Sequence, residues 1–288
     1  MHASAIAPTF LVTGATDGIG KATALALARQ NAAVIIHGRN PAKLEATLTE
    51  LRAATGNPAL HAVRADFSSL AEVAALADQV RGEYPSLSVL INNAGLVTDH
   101  RQTSVDGFEL TFAVNVLAPF LLTLRLLDTL KANAPARIVN VASTAMGGGT
   151  VDFSNLQLER GFEGWRAYAN SKLMNVLLSN QLARELAGSG VVSNALCPGL
   201  IDTNFFHTST LFAGGTYERL KPGMRPPEEG ALVPLYLATD PAAGRSNGAF
   251  YVRDGRDGRH AVPLNRDADV AARLWTYCLS LMSNFPAV

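Results

Sequence analysis

Thr13-Gly14-Ala15-Thr16-Asp17-Gly18-Ile19-Gly20 is the stretch on which the reading of this chain turns. Before it lies a short apolar run, Phe10 to Val12, and after it a helical pattern from about Gly20 to Gln30. Glycines let a backbone turn tightly and approach a phosphate with no Cβ in the way. The helix behind them aims its free N–H groups and the positive end of its dipole at the same point. Three glycines alone are a weak signal. Between a strand and a helix, at the opening of a strand–helix–strand unit, they predict a bound dinucleotide.

The same alternation continues outward from this turn. Ala33–His37, Leu60–Ala65, Leu87–Ile91, Arg137–Val141 and Val191–Leu196 read as strands. Helical patterns cover Pro41–Ala54, Leu70–Gly82, Val105–Ala132 and Tyr168–Ala187. Short apolar strands separated by helices of this length imply a parallel sheet covered on both faces. The expected fold class is therefore α/β, a doubly wound, Rossmann-like parallel sheet in a single domain spanning 1–288. Its loops at the carboxyl ends of strands are the expected ligand sites. These include the Gly-rich 145–164, a substrate loop around 201–227, and a terminal helix around 266–284.

Composition narrows the class further. Lys plus Arg and Asp plus Glu both number 24, so no basic surplus points to nucleic acid. The two cysteines, Cys197 and Cys278, are too few for a disulfide scaffold and fit a reducing, cytoplasmic compartment. The six histidines show no metal-ligand spacing, and no metal site is expected. Met1 to Pro8 have no basic start and no long apolar run, which argues against a secretory signal. Leu110–Leu130 is the most apolar region, but Asn115, Pro119, Arg125 and Asp128 interrupt it, so a buried helix is expected and no membrane span.

Strand ends carry the chemistry. Gly38-Arg39-Asn40 follows the second strand. Dinucleotide sites that take NAD place an acid there for the ribose hydroxyls. Arg39 instead offers a bidentate guanidinium to a 2′-phosphate, which favours NADP(H) over NAD(H). Asp17, an acid in the turn, weighs against that reading. Tyr168 and Lys172 stand four apart on one helix face, where an ammonium favours a neighbouring phenolate. Such a pair is also common on surface helices. Ser143 ends the fifth strand, placed either to bond a substrate oxygen or simply to start a turn. Asn92-Asn93-Ala94-Gly95 closes the fourth strand, where asparagines can tie strand ends together. Asn115 lies in a helix among apolar residues and needs a partner, a water or a neighbouring carbonyl.

With these residues in view, the chain resembles the short-chain dehydrogenase/reductase family from Thr9 to about Phe250. TGATDGIG matches its glycine turn, with Gly14, Thr16, Asp17, Gly18, Ile19 and Gly20 against the cofactor. NNAG matches its fourth-strand motif, adding Asn93, Ala94 and Gly95. Asn115, Ser143, Tyr168 and Lys172 match the catalytic tetrad in order, and Pro198-Gly199 matches the segment after the sixth strand. The resemblance implies that Tyr168 is the general acid or base and that Ser143 orients the substrate oxygen. It implies that Lys172 bonds the nicotinamide ribose and lowers the Tyr168 pKa, and that Asn115 holds a water leading to Lys172. Asp66 and Phe67 match the segment that contacts the adenine, and Thr203 the residue that bonds the carboxamide. Tyr168-Ala169-Asn170-Ser171-Lys172-Leu173, Arg273-Leu274-Trp275 and the long gap from Ser143 to Tyr168 are similar to the retinol dehydrogenase and WW-domain oxidoreductase group.

The expected activity is an NADP(H)-dependent interconversion of a carbonyl and an alcohol. A non-catalytic, nucleotide-sensing protein on the same fold is the second reading, since fold alone does not establish function. A sugar-nucleotide epimerase is a third, disfavoured by how little chain follows Gly248. Trp165, Phe205, Phe206 and Phe212 either line an apolar substrate pocket or pack the loops down. Cys197, beside the expected nicotinamide, reads as a buried strand residue, and His207 as a solvated one. The apolar stretches Phe112–Leu127 and Leu173–Leu186 suit a homodimer or homotetramer, as the family resemblance also implies.

Overall fold

A computed structural model describes residues 8–252, 260–262 and 267–285. The expectations for residues 1–7 and for the helix start at 266 lie outside the described residues. Eight strands form one sheet in the order β3-β2-β1-β4-β5-β6-β7-β8. They are β1 (Thr9–Val12), β2 (Ala33–Gly38), β3 (Leu60–Arg64), β4 (Leu87–Asn92), β5 (Ala136–Val141), β6 (Val191–Cys197), β7 (Phe250–Val252) and β8 (His260–Val262). All neighbours pair in parallel except β7 with β8. The chain leaves β1 toward β2 and β3, then returns to the other side of β1 at β4. Strand order therefore reverses between β1 and β4, the place where α/β sheets open a crevice for ligands.

Alternation along each strand divides the core in two. Phe10, Val12, Val34, Ile36, Val89 and Ile91 face one layer of helices. Leu11, Ile35 and Leu90 face the other. The first layer holds α1 (Gly18–Arg29), α2 (Pro41–Thr55) and α6 (Leu232–Thr239). The second holds α3 (Leu70–Glu83), α4 (Leu110–Ala132), α5 (Gly164–Glu185) and α7 (Ala268–Leu281). Local sequence sets their ends. Asn40 caps α2 by accepting the Lys43 N–H, with Pro41 at the first helical position, and Gly56 ends the helix at φ 65°. Ser69 caps α3 in the same way, by accepting from Glu72.

The helix expected over Val105–Ala132 begins at Leu110. Residues 103–109 make a tight reversal instead, with Thr103 bridged to Glu109 and Gly107 at φ 86°. The Glu109 carboxylate then accepts the Thr111 and Phe112 amides and starts the helix. Helix α4 is interrupted by a π turn over Ala113–Leu117, closed by the Ala118 N–H on the Ala113 carbonyl. Pro119 supplies the cause. It has no N–H for the Asn115 carbonyl, and its ring crowds that carbonyl, so the turn widens. By length and composition α4 could cross a membrane, yet 78% of its most apolar window is buried inside the protein.

Helix α5 begins a turn earlier than the expected Tyr168. The irregular 145–164 contains a 3-10 turn at Thr144–Gly148, and the substrate loop carries short turns at Asn204–Phe206, Thr210–Phe212 and Thr216–Leu220. The sequence reading missed β7, β8 and α6. Trp275 and Cys278 pack as expected: Cys278 is buried and Trp275 meets the Phe120 ring edge-on at 4.9 Å.

Candidate active site

The turn after β1 is built from contacts that exclude larger residues. Gly14 has φ 63°, and a Cβ there would fall 2.8 Å from the Ala94 Cα. A Cβ on Gly20 would fall 2.3 Å from the Gly14 carbonyl oxygen. The Thr13 hydroxyl accepts the amides of Asn93 (2.9 Å) and Ala94 (3.0 Å), and Asn93 donates to the Thr13 and Gly14 carbonyls. The NNAG motif thus buttresses the glycine turn from the next strand. Asn92 donates to Asn140 Oδ1 at 3.0 Å, tying the ends of β4 and β5 as expected.

His37, at the end of β2, supports the turn from below. Its Nδ1 accepts the Gly14 N–H at 3.2 Å, its Nε2 meets the Ala65 carbonyl at 3.0 Å, and its carbonyl accepts the Ala15 N–H. Those partners define the neutral tautomer with the proton on Nε2. Burial lowers its pKa from the ordinary 6.5 to about 4. The Phe67 ring stacks on His37 at 4.4 Å between centroids and is buried. The Asp66 carboxylate accepts the Ser68 N–H and shapes the same bend.

Asp17 caps α1 by accepting the Gly18 N–H at 2.7 Å, and its other oxygen accepts from the Asn204 amide. The remaining first-turn amides of α1, Ile19 and Gly20 among them, have no intrahelical acceptor. A pyrophosphate can take them. Thr203 packs on Gly18, where a Cβ would fall 2.9 Å from the threonine methyl. The substrate loop therefore touches the phosphate turn. Pro198-Gly199 follows β6, with Gly199 at φ 94°. Arg39 is exposed, and its carbonyl accepts Arg64 Nε at 3.2 Å, so two guanidinium-bearing residues stand at the ends of β2 and β3.

Asn115, Ser143, Tyr168 and Lys172 come together between β4, β5 and α5. Lys172 Nζ donates to the Val141 carbonyl at 3.0 Å and lies 5.5 Å from the centre of the Tyr168 ring. Asn115 Oδ1 accepts the Leu96 N–H at 2.8 Å, and its Nδ2 donates to the Leu96 carbonyl and the Ser171 hydroxyl. Ser171 passes that link on, donating to the Tyr168 carbonyl at 2.7 Å. A Cβ on Gly95 would touch Asn115 Oδ1 at 3.3 Å and Lys172 Nζ at 3.4 Å, so both polar groups gather at one point. Ser143 accepts the Ala145 N–H, so it does start a turn, and it lies close enough to the Tyr168 hydroxyl to favour its ionised form.

Burial is the largest influence on the two ionisable groups of the site. Burial pushes the Tyr168 phenol above its ordinary range, and the Ser143 hydrogen bond only partly opposes this. Burial also brings Lys172 down to about 8.

Trp165, Phe205, Phe206 and Phe212 form a continuous aromatic wall beside Tyr168. The Tyr168 ring lies 5.4 Å from Trp165 and 5.0 Å from Phe205, and Phe212 lies 5.5 Å from Phe205. Sequence reasoning missed Thr13, His37, Arg64, Asp99 and Ser171. Thr13 lay inside the quoted turn, and Ser171 lay between the tyrosine and lysine. The others depend on contacts between distant segments.

The profile of the family described as short chain dehydrogenase matches residues 8–212. Human retinol dehydrogenase 13 is 38% identical over 274 residues, 93% of this chain and 82% of that protein. The Pseudomonas aeruginosa RhlG/NADP active-site complex matches with a TM-score of 0.71 at 28% identity, covering 88% of this chain and 97% of that one. The 3-ketoacyl-(acyl-carrier-protein) reductase from Brucella melitensis, complexed with NADH, matches with a TM-score of 0.68 at 25% identity, over 84% and 95%. Sequence, sheet order and the gathered residues agree: the chain belongs to the short-chain dehydrogenase family of oxidoreductases, near the retinol dehydrogenases.

Proposed function

We propose that this protein interconverts a carbonyl and an alcohol with NADP(H), using Tyr168 as the proton donor and acceptor. The observation that carries the reading is the meeting of Ser143, Tyr168 and Lys172 at the crevice beside the glycine turn. Bound there, the nicotinamide would supply or accept the hydride. In reduction, the Ser143 and Tyr168 hydroxyls hold the carbonyl oxygen, and Tyr168 gives it a proton as the alcohol forms. The raised phenol pKa suits this role, since it keeps the proton on Tyr168 until charge develops on the substrate. Lys172, protonated below about pH 8, stabilises the phenolate left behind. Pro119 leaves the Asn115 carbonyl without its helical donor, which suits the placing of a water that leads to Lys172.

Gly14, Thr16, Gly18, Ile19, Gly20, Asn93, Ala94, Gly95, Pro198, Gly199 and Thr203 would enclose the cofactor. The preference for NADP(H) over NAD(H) rests on Arg39, with Arg64 beside it. The aromatic wall favours an apolar, flat substrate. Two free, buried cysteines fit a cytoplasmic setting, and the burial of α4 fits a core helix over a span. Association into a homodimer or homotetramer through α4 and α5 would have to accommodate α7, which already packs on that side.

Tyr168→Phe tests the mechanism. Turnover of carbonyls should fall by at least about a hundredfold while NADPH binding survives. Unchanged turnover would refute the role of Tyr168. Tight NADPH binding by the wild type without oxidation against a broad carbonyl panel would favour the nucleotide-sensing reading.

A further inference from the structure

We infer that Asp99 is a positioning residue, the staple that holds the aromatic wall of the substrate loop against the helix of Tyr168. Asp99 lies in the segment after β4, 110 positions before the Ser209 it binds. One carboxylate oxygen accepts the Ser209 hydroxyl and the Leu211 N–H (3.2 Å), and the other accepts the Thr210 N–H (3.0 Å). Three donors from consecutive residues thus close on one carboxylate, and Ser209 is buried in the contact. The Ser209 hydroxyl and the loop amides keep the Asp99 carboxyl down at about 2, so it is charged throughout any assay range.

The turn held in this way carries Leu211 and Phe212 onto the start of α5. Gly164 allows the approach: a Cβ there would meet the Thr98 carbonyl and come within 3.1 Å of the Leu211 methyl. Phe212 is buried, with Trp165 edge-on at 6.3 Å and Phe205 at 5.5 Å. Phe205 and Trp165 in turn flank the Tyr168 ring. A fixed Asp99 therefore fixes the width of the space over the reacting phenol. None of these contacts adds a proton or a charge to the reaction. Asp99 acts through the loop, on which substrates fit and how firmly. This inference rests on the oxidoreductase reading for its kinetic part only.

The test uses the full-length protein in a Trp275→Phe background, which leaves Trp165 as the sole tryptophan. Asp99→Ala, Asp99→Asn and Ser209→Ala are compared by acrylamide quenching of Trp165, by NADPH titration, and by kinetics with cyclohexanone and with the larger, two-ring benzil. Loss of charge-assisted hydrogen bonds of this kind should raise KM for benzil about tenfold in Asp99→Ala, with a smaller change in kcat. Cyclohexanone, which needs little of the wall, should respond less. Trp165 should become more quenchable, NADPH affinity should hold, and Asp99→Asn, which keeps one acceptor oxygen, should fall between. Unchanged Trp165 quenching in both Asp99→Ala and Ser209→Ala would overturn the staple. If the wild type oxidised no NADPH with these ketones or across a broad carbonyl panel, the oxidoreductase reading would fail, and the quenching result alone would still decide the staple.

Discussion

His37 makes the stability of this protein depend on pH in a calculable way. The imidazole is buried and neutral, with Nδ1 occupied as an acceptor by the Gly14 N–H and Nε2 committed to the Ala65 carbonyl. A proton can enter only at Nδ1, where it would break the Gly14 bond and place a charge inside the sheet edge. The unfolded chain has no such obstacle and takes that proton near pH 6.5, against about 4 in the fold. Between those values the unfolded state binds more protons, so stability is full above about 6.5 and falls as pH drops toward 4. At pH 5 the difference amounts to about 2 kcal/mol, and the full difference in pKa corresponds to about 3 kcal/mol. Urea unfolding followed by tryptophan fluorescence at several pH values gives the wild-type slope. His37→Gln removes the titration while keeping a polar side chain. The wild type should lose about 2 kcal/mol more than this variant between pH 7.5 and 5. Parallel curves for the two proteins would refute the buried, neutral imidazole.

Three further outcomes follow from the same geometry. The rate of carbonyl reduction under kcat/KM conditions should fall above about pH 8 as Lys172 loses its proton, and a flat profile to pH 9.5 would remove its charge from the mechanism. Gly20→Ala puts a methyl 2.3 Å from the Gly14 oxygen, so thermal unfolding should show a loss of about 1–3 kcal/mol and NADPH titration a much weaker site. Arg39→Ala should weaken NADPH binding by about tenfold or more and leave NADH binding nearly unchanged, read by fluorescence titration; equal losses for both would overturn the 2′-phosphate reading.

Much of the fold and of the candidate site was legible because its signals are local. The glycine turn, the NNAG segment and the Tyr168–Lys172 spacing each fall within eight residues, and strand and helix periods repeat around them. What was not legible depends on segments far apart in the chain. His37 sits in the apolar run Val34-Ile35-Ile36-His37, and nothing there announces that its ring will carry the loop of residue 14. Asp99 and Ser209 stand 110 positions apart and meet only in the fold. The start of α4 was misplaced because Val105 and Phe108 continue a helical pattern, while Gly107 and the capping Glu109 decide otherwise. Strands β7 and β8 are three residues long, too short to show a period.

The wide turn at Ala113–Leu117 has a consequence for how this helix tolerates change in length. A π turn is an α-helix that has taken in one extra residue, which advances the chain by about 100° of rotation within a single turn. Removing one residue between Ala113 and Leu117, with Pro119 replaced by alanine, would restore an uninterrupted α-helix that is locally well formed. It would also swing Asn115 away from Leu96 and Ser171, and turn Phe112 off the core. In most helices a single-residue deletion is penalised by disrupted hydrogen bonding. Here the helix itself would heal and the site would be lost. Chain length at this point is therefore held by the partners of one asparagine, and changes of length that preserve helicity are the ones this protein is least able to absorb.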